Sequence, residues 1–68
     1  MPIIRIDLLA GRTPERKLAL IQHVTEAVVT ALDVRPEQVR VLINELPAEN
    51  WAVGGKTLTP LTPEKPAE

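Results

Sequence analysis

The fold is decided by residues 13–33, which read TPERKLALIQHVTEAVVTALD. Thr13 offers an N-cap hydroxyl, Pro14 has the fixed φ of a first helical residue, and Glu15 adds a negative charge to the first turn. Apolar side chains then recur at steps of three and four: Leu18, Ile21, Val24, Val28 and Leu32, with Leu20, Ala27 and Ala31 widening the stripe. The sequence therefore predicts one helix of about 19 residues that begins at Pro14 and ends near Asp33.

Strand patterns lie on both sides of this helix. Residues 3–9, IIRIDLL, alternate with period two: Ile4, Ile6 and Leu8 fall on one face, and Ile3, Arg5, Asp7 and Leu9 on the other. Residues 39–46, VRVLINEL, are rich in branched side chains and predict a second strand. Two strands joined through a helix are expected to lie parallel, in a right-handed crossover. Gly54-Gly55 further along predicts the turn of a short hairpin.

Composition excludes several classes of protein. The chain has 68 residues, no cysteine and one aromatic residue, Trp51, so its core must be aliphatic and without disulfides. A lone histidine, His23, cannot form a metal cluster, and we interpret it as a surface residue. A net charge of −1 without a basic stripe argues against nucleic acid as a partner. The first apolar run is too short for a bilayer, so we expect a cytoplasmic protein without a membrane partner.

A two-stranded parallel sheet with one helix cannot cover its own apolar surface. Parallel sheets need cover on both faces, and a chain of this size has a marginal core. We therefore expect an α/β (α+β) fold in which residues 2–58 form a single βαβ unit with a short C-terminal hairpin, completed by oligomerisation. The strands of two copies would merge into a larger sheet, and such dimers would associate further. Residues 59–68 are rich in proline and predict an extended or disordered tail.

Pro2 stands directly behind Met1 at the head of the first strand. Methionine aminopeptidase removes an initiator methionine that precedes a small residue, and proline qualifies, so we expect a chain that begins with the secondary amine of Pro2. An apolar pocket and nearby cations would lower the pKa of this amine and make it a base or a nucleophile near neutral pH. The alternative is a structural role, because proline is tolerated at the first residue of a strand.

Four features in order resemble the 4-oxalocrotonate tautomerase family over residues 2–58: Pro2 heading a strand, Leu9-Ala10-Gly11-Arg12, Val39-Arg40-Val41, and Asn50-Trp51-Ala52-Val53-Gly54-Gly55. The resemblance implies a hexamer, a trimer of dimers, with sites built across subunit boundaries. It implies an isomerase of aromatic hydrocarbon catabolism that needs no cofactor and no metal. Such an enzyme moves a proton between oxygen and carbon of a small unsaturated 2-hydroxy or 2-oxo acid, such as 2-hydroxymuconate.

The same resemblance implies roles for individual residues. Pro2 would be the general base, and Arg40 would engage the 2-oxygen and its adjacent carboxylate. Arg12 would bind the distal carboxylate, and Leu9 would contribute to substrate binding. Trp51 replaces the phenylalanine that is usual in the family, as a larger aromatic wall of the site.

Two other functions fit parts of the pattern. Related dehalogenases and hydratases of unsaturated acids carry an additional arginine and an acid where this chain has Leu9 and Val53, so no carboxylate is evident to activate water. The second alternative is a non-catalytic, self-assembling binding module in which Arg12 and Arg40 form ordinary surface pairs. Arg40 shares a strand face with Leu42, which is more typical of a functional arginine than of a solvated one.

Overall fold

The computed structural model describes residues 1–58, which form a βαβ unit followed by a hairpin. The elements are strand β1 (Ile3–Leu9), helix α1 (Pro14–Leu32), strand β2 (Arg40–Leu46), and the short strands β3 (Ala52–Val53) and β4 (Lys56–Thr57). Two 3₁₀ turns, Pro36–Gln38 and Ala48–Asn50, lie before β2 and before β3. The predicted fold class is confirmed, with β1 and β2 parallel and β3 and β4 antiparallel. The predicted tail, residues 59–68, lies outside the described residues.

Helix α1 has the boundaries that its capping residues predict. The Thr13 hydroxyl accepts a hydrogen bond from the Arg16 N–H at 3.2 Å, and Pro14 is the first helical residue. The last helical residue is Leu32, and the N–H of the following Asp33 still donates to the Val29 carbonyl at 2.9 Å. The left-handed backbone of Asp33 (φ 57°, ψ 51°) then turns the chain out of the helix. Aspartate enters this conformation more readily than most residues other than glycine, so it serves as the C-cap.

The parallel ladder runs from Ile3 opposite Arg40 to Leu9 opposite Leu46. It extends beyond β1 at both ends, because the Arg40 N–H donates to the Pro2 carbonyl at 3.0 Å and the Ala10 N–H donates to the Leu46 carbonyl at 2.8 Å. The prediction that the second strand begins at Val39 was wrong by one residue. The Val39 N–H donates to the Pro36 carbonyl at 3.1 Å, so this residue closes the 3₁₀ turn instead of joining the ladder.

The sheet has one covered face and one open face. Ile4, Ile6 and Leu8 are half-buried on the helix side, as the alternation predicts. The opposite side, here called the outer face, ends in a half-buried pair, Leu9 and Leu46. Its other side chains are exposed: Ile3, Arg5, Asp7, Arg40, Leu42 and Asn44. None of residues 1–58 is fully buried, so the helix and sheet of a single chain do not enclose the expected aliphatic core.

Helix α1 also leaves apolar surface uncovered. Leu18 and Leu32, at the two ends of the predicted apolar stripe, are 53% and 59% exposed. The stripe is therefore longer than the two-stranded sheet beneath it. Within the described residues, no helix has the length and apolar character required to cross a membrane.

The hairpin after β2 forms where the glycine pair predicts it. Val53 pairs with Lys56, and the two turn residues, Gly54 and Gly55, have φ of 61° and 84°. Positive φ at both central positions is the requirement of a two-residue hairpin turn, and glycine meets it without steric cost.

Candidate active site

The five predicted site residues lie in two groups at opposite ends of the sheet. Pro2 and Arg40, here called the proline end, stand where both strands begin. Leu9, Arg12 and Trp51 are here called the tryptophan end: Leu9 is the last residue of β1, and the other two follow the ends of β1 and β2. The rise of about 3.3 Å per residue separates Pro2 from Leu9 by about 23 Å. A single chain therefore does not bring the two groups together.

At the proline end, Pro2 is half-buried behind Met1, which is 74% exposed. With Met1 in place the Pro2 nitrogen is an amide without a proton, so basicity at this atom requires cleavage of that peptide bond. The Arg40 guanidinium lies on the outer face, and its Nη1 donates to the Glu37 carbonyl at 3.0 Å. The 3₁₀ turn thus holds this cation close to the start of β1.

That 3₁₀ turn, Pro36–Gln38, is braced by its own side chains. The Arg35 N–H donates to Oε1 of Gln38 at 3.0 Å, and the Gln38 N–H donates back to the Arg35 carbonyl at 3.0 Å. Arg35 and Glu37 add an ion pair at 3.4 Å, but both side chains are 72% exposed, so the pair contributes little. The carbonyl that positions Arg40 therefore comes from a fixed turn.

At the tryptophan end, Arg12 is half-buried in the short loop between β1 and α1. Its Nη1 donates to the Leu9 carbonyl at 3.0 Å, which folds the guanidinium back over the end of β1. Gly11 has φ of 127°, a conformation that glycine adopts far more readily than other residues, and this turn directs the chain toward α1. Arg12 and Leu9 are thus neighbours in space as well as in sequence.

Trp51 is half-buried and fixed through its backbone on both sides. Its N–H donates to the Ala48 carbonyl at 3.1 Å, and its carbonyl accepts from the Leu58 N–H at 2.9 Å. The residue is therefore held between the second 3₁₀ turn and the hairpin. Val53 is 69% exposed on that hairpin.

An ion pair that the sequence reasoning missed supports the tryptophan end. Nζ of Lys17, in the first turns of α1, lies 3.0 Å from Oε2 and 3.1 Å from Oε1 of Glu45 on β2. These side chains are only 28% and 33% exposed. The pair ties the start of the helix to the end of β2, and so steadies the loop that carries Arg12. No sequence signal gives it, because the partners are 28 residues apart and meet only once the strand register is known.

The middle of the sheet holds a groove with polar and aliphatic lining that belongs to neither end. Nδ2 of Asn44 donates to Oδ1 of Asp7 at 3.1 Å, across the two strands. The groove has a volume of about 370 Å³ and is lined by Arg5, Ile6, Asp7, Leu42, Ile43 and Asn44. His23 is exposed on α1, and no group of three or more potential metal ligands occurs among residues 1–58.

Comparison with known proteins identifies relatives of this chain. The sequence model of the tautomerase enzyme family matches residues 2–60. A 2-hydroxymuconate tautomerase of Pseudomonas sp. strain CF600 is 45% identical over 56 residues, which cover 82% of this chain and 89% of that relative.

Two solved structures share the fold. A 4-oxalocrotonate tautomerase isozyme from Methylibium petroleiphilum has 57% identity and a TM-score of 0.80, covering 82% of this chain and 88% of its own. A heterohexamer 4-oxalocrotonate tautomerase from Chloroflexus aurantiacus has 37% identity and a TM-score of 0.84, covering 91% and 100%. These matches span nearly all of the described residues, and they confirm the resemblance found in the sequence. The chain belongs to the tautomerase family and is an isomerase.

Proposed function

We propose that residues 2–58 catalyse the cofactor-independent keto-enol tautomerisation of an unsaturated 2-hydroxy acid such as 2-hydroxymuconate, in the cytoplasm. Pro2 is the general base after removal of Met1. The observation that carries the proposal is the division of the predicted site residues between two ends of one sheet. That division suits a site assembled from more than one copy, because the two groups lie too far apart in a single chain to contact one small substrate.

The reaction is a proton transfer without net change in composition. The Pro2 amine takes the proton from the 2-hydroxyl group, the C2–O bond becomes a carbonyl, and the conjugated double bonds shift along the chain. The same nitrogen then returns a proton to carbon. The Arg40 guanidinium favours the neutral amine by charge repulsion and draws electron density toward the 2-oxygen as the carbonyl forms.

The remaining residues bind and orient the acid. Arg12 holds the distal carboxylate, because a guanidinium stays charged and grips a carboxylate through two parallel hydrogen bonds. Leu9 and Trp51 line the conjugated part of the substrate and exclude water. A dry site disfavours hydration and favours proton transfer, since residue 53 is a valine and offers no carboxylate to activate water.

The complete site needs a second copy that runs antiparallel, so that the tryptophan end of one chain meets the proline end of the other. We propose a hexamer, a trimer of dimers, as the assembly. The uncovered outer face and the absence of fully buried residues in the described chain support further association. The Chloroflexus aurantiacus relative, a heterohexamer, is a precedent for this stoichiometry.

The first test is the ultraviolet rate of 2-hydroxymuconate ketonisation by protein whose mass establishes a Pro2 terminus. Replacing the base, Pro2→Ala, is expected to lower kcat by about 100-fold to 10,000-fold, the usual contribution of a general base. His23→Ala, on the exposed helix surface, is the matched control and keeps the native rate. Equal rates for the native and Pro2→Ala proteins at the same oligomeric state would contradict the proposal and favour a non-catalytic binding module.

Subunit mixing tests the shared site directly. With 2-hydroxymuconate well below the native KM, Pro2→Ala and Arg12→Ala chains are each expected to be nearly inactive, the first through a lower kcat and the second through a higher KM. In a reassembled equimolar mixture, half of the pairs are mixed, and each mixed pair has one intact site, so activity returns to about a quarter of the native value. Failure to recover activity, with mixed pairs present by native mass spectrometry, would refute a site built across subunits.

A further inference from the structure

Strand β1 has one edge that no strand of the described chain covers. The sheet contains only β1 and β2, and successive residues of a strand direct their backbone groups to alternate edges. The Pro2 carbonyl and the Ala10 N–H both bond to residues of β2, so the even-numbered residues face that strand. The odd-numbered residues direct their N–H and C=O groups to the open edge: Ile3, Arg5, Asp7 and Leu9.

A second copy can satisfy these groups in only a few registers. Two strands related by a two-fold axis run antiparallel, and odd-numbered residues must face odd-numbered residues to form hydrogen bonds. Pairing centred on Ile6 matches the whole of β1 with itself, from Ile3 opposite Leu9 to Leu9 opposite Ile3. The neighbouring registers are centred on Arg5 or on Asp7 and leave one end of the strand unpaired.

Charge separates these registers. Centred on Ile6, Arg5 lies opposite Asp7 of the second copy, and the two-fold axis repeats the pair. Centred on Arg5, two arginines oppose each other, and centred on Asp7, two aspartates do. Opposite charges directly across a sheet stabilise the pair, whereas like charges destabilise it. A slip by two residues in either direction therefore exchanges attraction for repulsion.

We infer that Arg5 and Asp7 fix the register in which this chain pairs with a second copy of itself, β1 against β1, antiparallel and centred on Ile6. The inference rests on the proposed assembly of the active site from copies of the chain. Both side chains are exposed on the outer face, and the Asp7 carboxylate is already held there by Asn44 at 3.1 Å. No ion pair within residues 1–58 involves Arg5.

The open edge of β2 offers no such pattern. Its two charged residues, Arg40 and Glu45, lie on opposite faces: Arg40 on the outer face, and Glu45 on the helix side with Lys17. Directly opposed residues of paired strands share a face, so these two charges never meet across that edge. Charge complementarity therefore assigns the self-pairing edge to β1.

This register also completes the proposed site. Pro2 falls beside Ala10 of the second copy, with Arg12 of that copy two residues further along. A slip by two residues would displace the two ends by about 7 Å relative to each other. The charged pair is thus a positioning device for the active site, although neither residue touches substrate.

Charge exchange tests the inference without reference to turnover. Arg5→Asp and Asp7→Arg chains are each expected to dissociate about tenfold to a hundredfold more readily than the native protein at low salt, because attraction becomes repulsion at two symmetric positions. The double exchange, Arg5→Asp with Asp7→Arg, restores the native dissociation constant. An equimolar mixture of the two single variants forms mixed pairs, since the arginine chain complements the aspartate chain. Sedimentation velocity and native mass spectrometry measure both effects.

A cysteine introduced at the centre of β1 gives a second, independent test of the register. The native chain has no cysteine, so Ile6→Cys introduces a single thiol. In the proposed register this residue faces its own copy at a Cα separation of about 4.5 Å, which permits a disulfide, and mild oxidation yields covalent dimers. In a slipped register residue 6 faces residue 4 or 8, and no cross-link forms.

Native-like association of both single variants, or failure of the double exchange and of the mixture to restore it, would overturn the inference. So would the absence of an Ile6→Cys cross-link in dimeric protein. Association that follows the charges in a protein without turnover supports the inference and counts against the proposed function alone. Conversely, turnover in a protein whose association is unchanged by the charge exchanges supports the proposed function and overturns the inference.

Discussion

Leu42 on the outer face allows a quantitative test of whether dimers associate further. Its side chain is 47% exposed in the single chain, and full burial of a leucine contributes about 1.5–3 kcal/mol, so covering this residue contributes about 1 kcal/mol per copy. Leu42→Glu removes that term and also buries a carboxylate in the contact. Arg5 stands opposite on β1, but desolvating the charge still costs several kcal/mol. A total above about 3 kcal/mol weakens the contact by more than about 100-fold.

The assay is sedimentation velocity over a concentration series. The native protein is expected to remain a large assembly, and Leu42→Glu is expected to give dimers, because the β1 edge is unchanged. His23→Glu, which adds a carboxylate to the exposed side of α1, is the matched control and keeps the native mass. A Leu42→Glu protein with the native mass at every concentration would show that the outer face is not an interface between copies.

Three further expectations follow from local geometry. Asp33→Gly is expected to raise the free energy of unfolding by about 0.5–1 kcal/mol, because it relieves the left-handed backbone at the end of α1 and removes a negative charge from the helix C-terminus. Thermal denaturation measures the effect, and a lower melting temperature would contradict it. A double-mutant cycle with Lys17→Met and Glu45→Gln, measured as free energies of unfolding, is expected to give a coupling energy of about 0.5–1 kcal/mol that decreases with added salt. A coupling energy of zero would mean that the pair does not hold α1 to β2. Arg12→Ala is expected to raise KM for a dicarboxylate about 10-fold to 100-fold while leaving KM for the matching monocarboxylate nearly unchanged, and equal effects on both acids would refute the distal role of this arginine.

The elements of the fold follow from the sequence wherever local chemistry decides them. Thr13 and Pro14 determine the start of α1 through a capping hydroxyl and a fixed φ, and the alternation of Ile4, Ile6 and Leu8 determines β1. Val39 was assigned to the wrong element because its side chain suits a strand while its N–H belongs to the preceding turn. Strand propensity depends on the type of side chain, whereas the turn is defined by a backbone hydrogen bond that the sequence does not show.

The sequence allowed the residues of the candidate site to be proposed, but not their arrangement in space. Pro2, Arg12, Arg40 and Trp51 were predicted as site residues through the resemblance to a known family, yet nothing in that sequence pattern states that they occupy two ends of a sheet. That fact depends on the parallel register, a non-local property. The Lys17 to Glu45 ion pair was missed for the same reason.

In the proposed assembly, the proline end and the tryptophan end of one chain serve different sites, so mutation and selection act on them separately although one gene encodes both. After a gene duplication, one product can lose Pro2 and the other Arg12, and the two together still build an intact site where the surviving ends meet. Each product then becomes indispensable to the other, without any gain in catalytic rate. A strand of seven residues, long enough to hold the two ends apart, thereby opens a neutral evolutionary route from an enzyme of identical chains to an obligate pair of different ones.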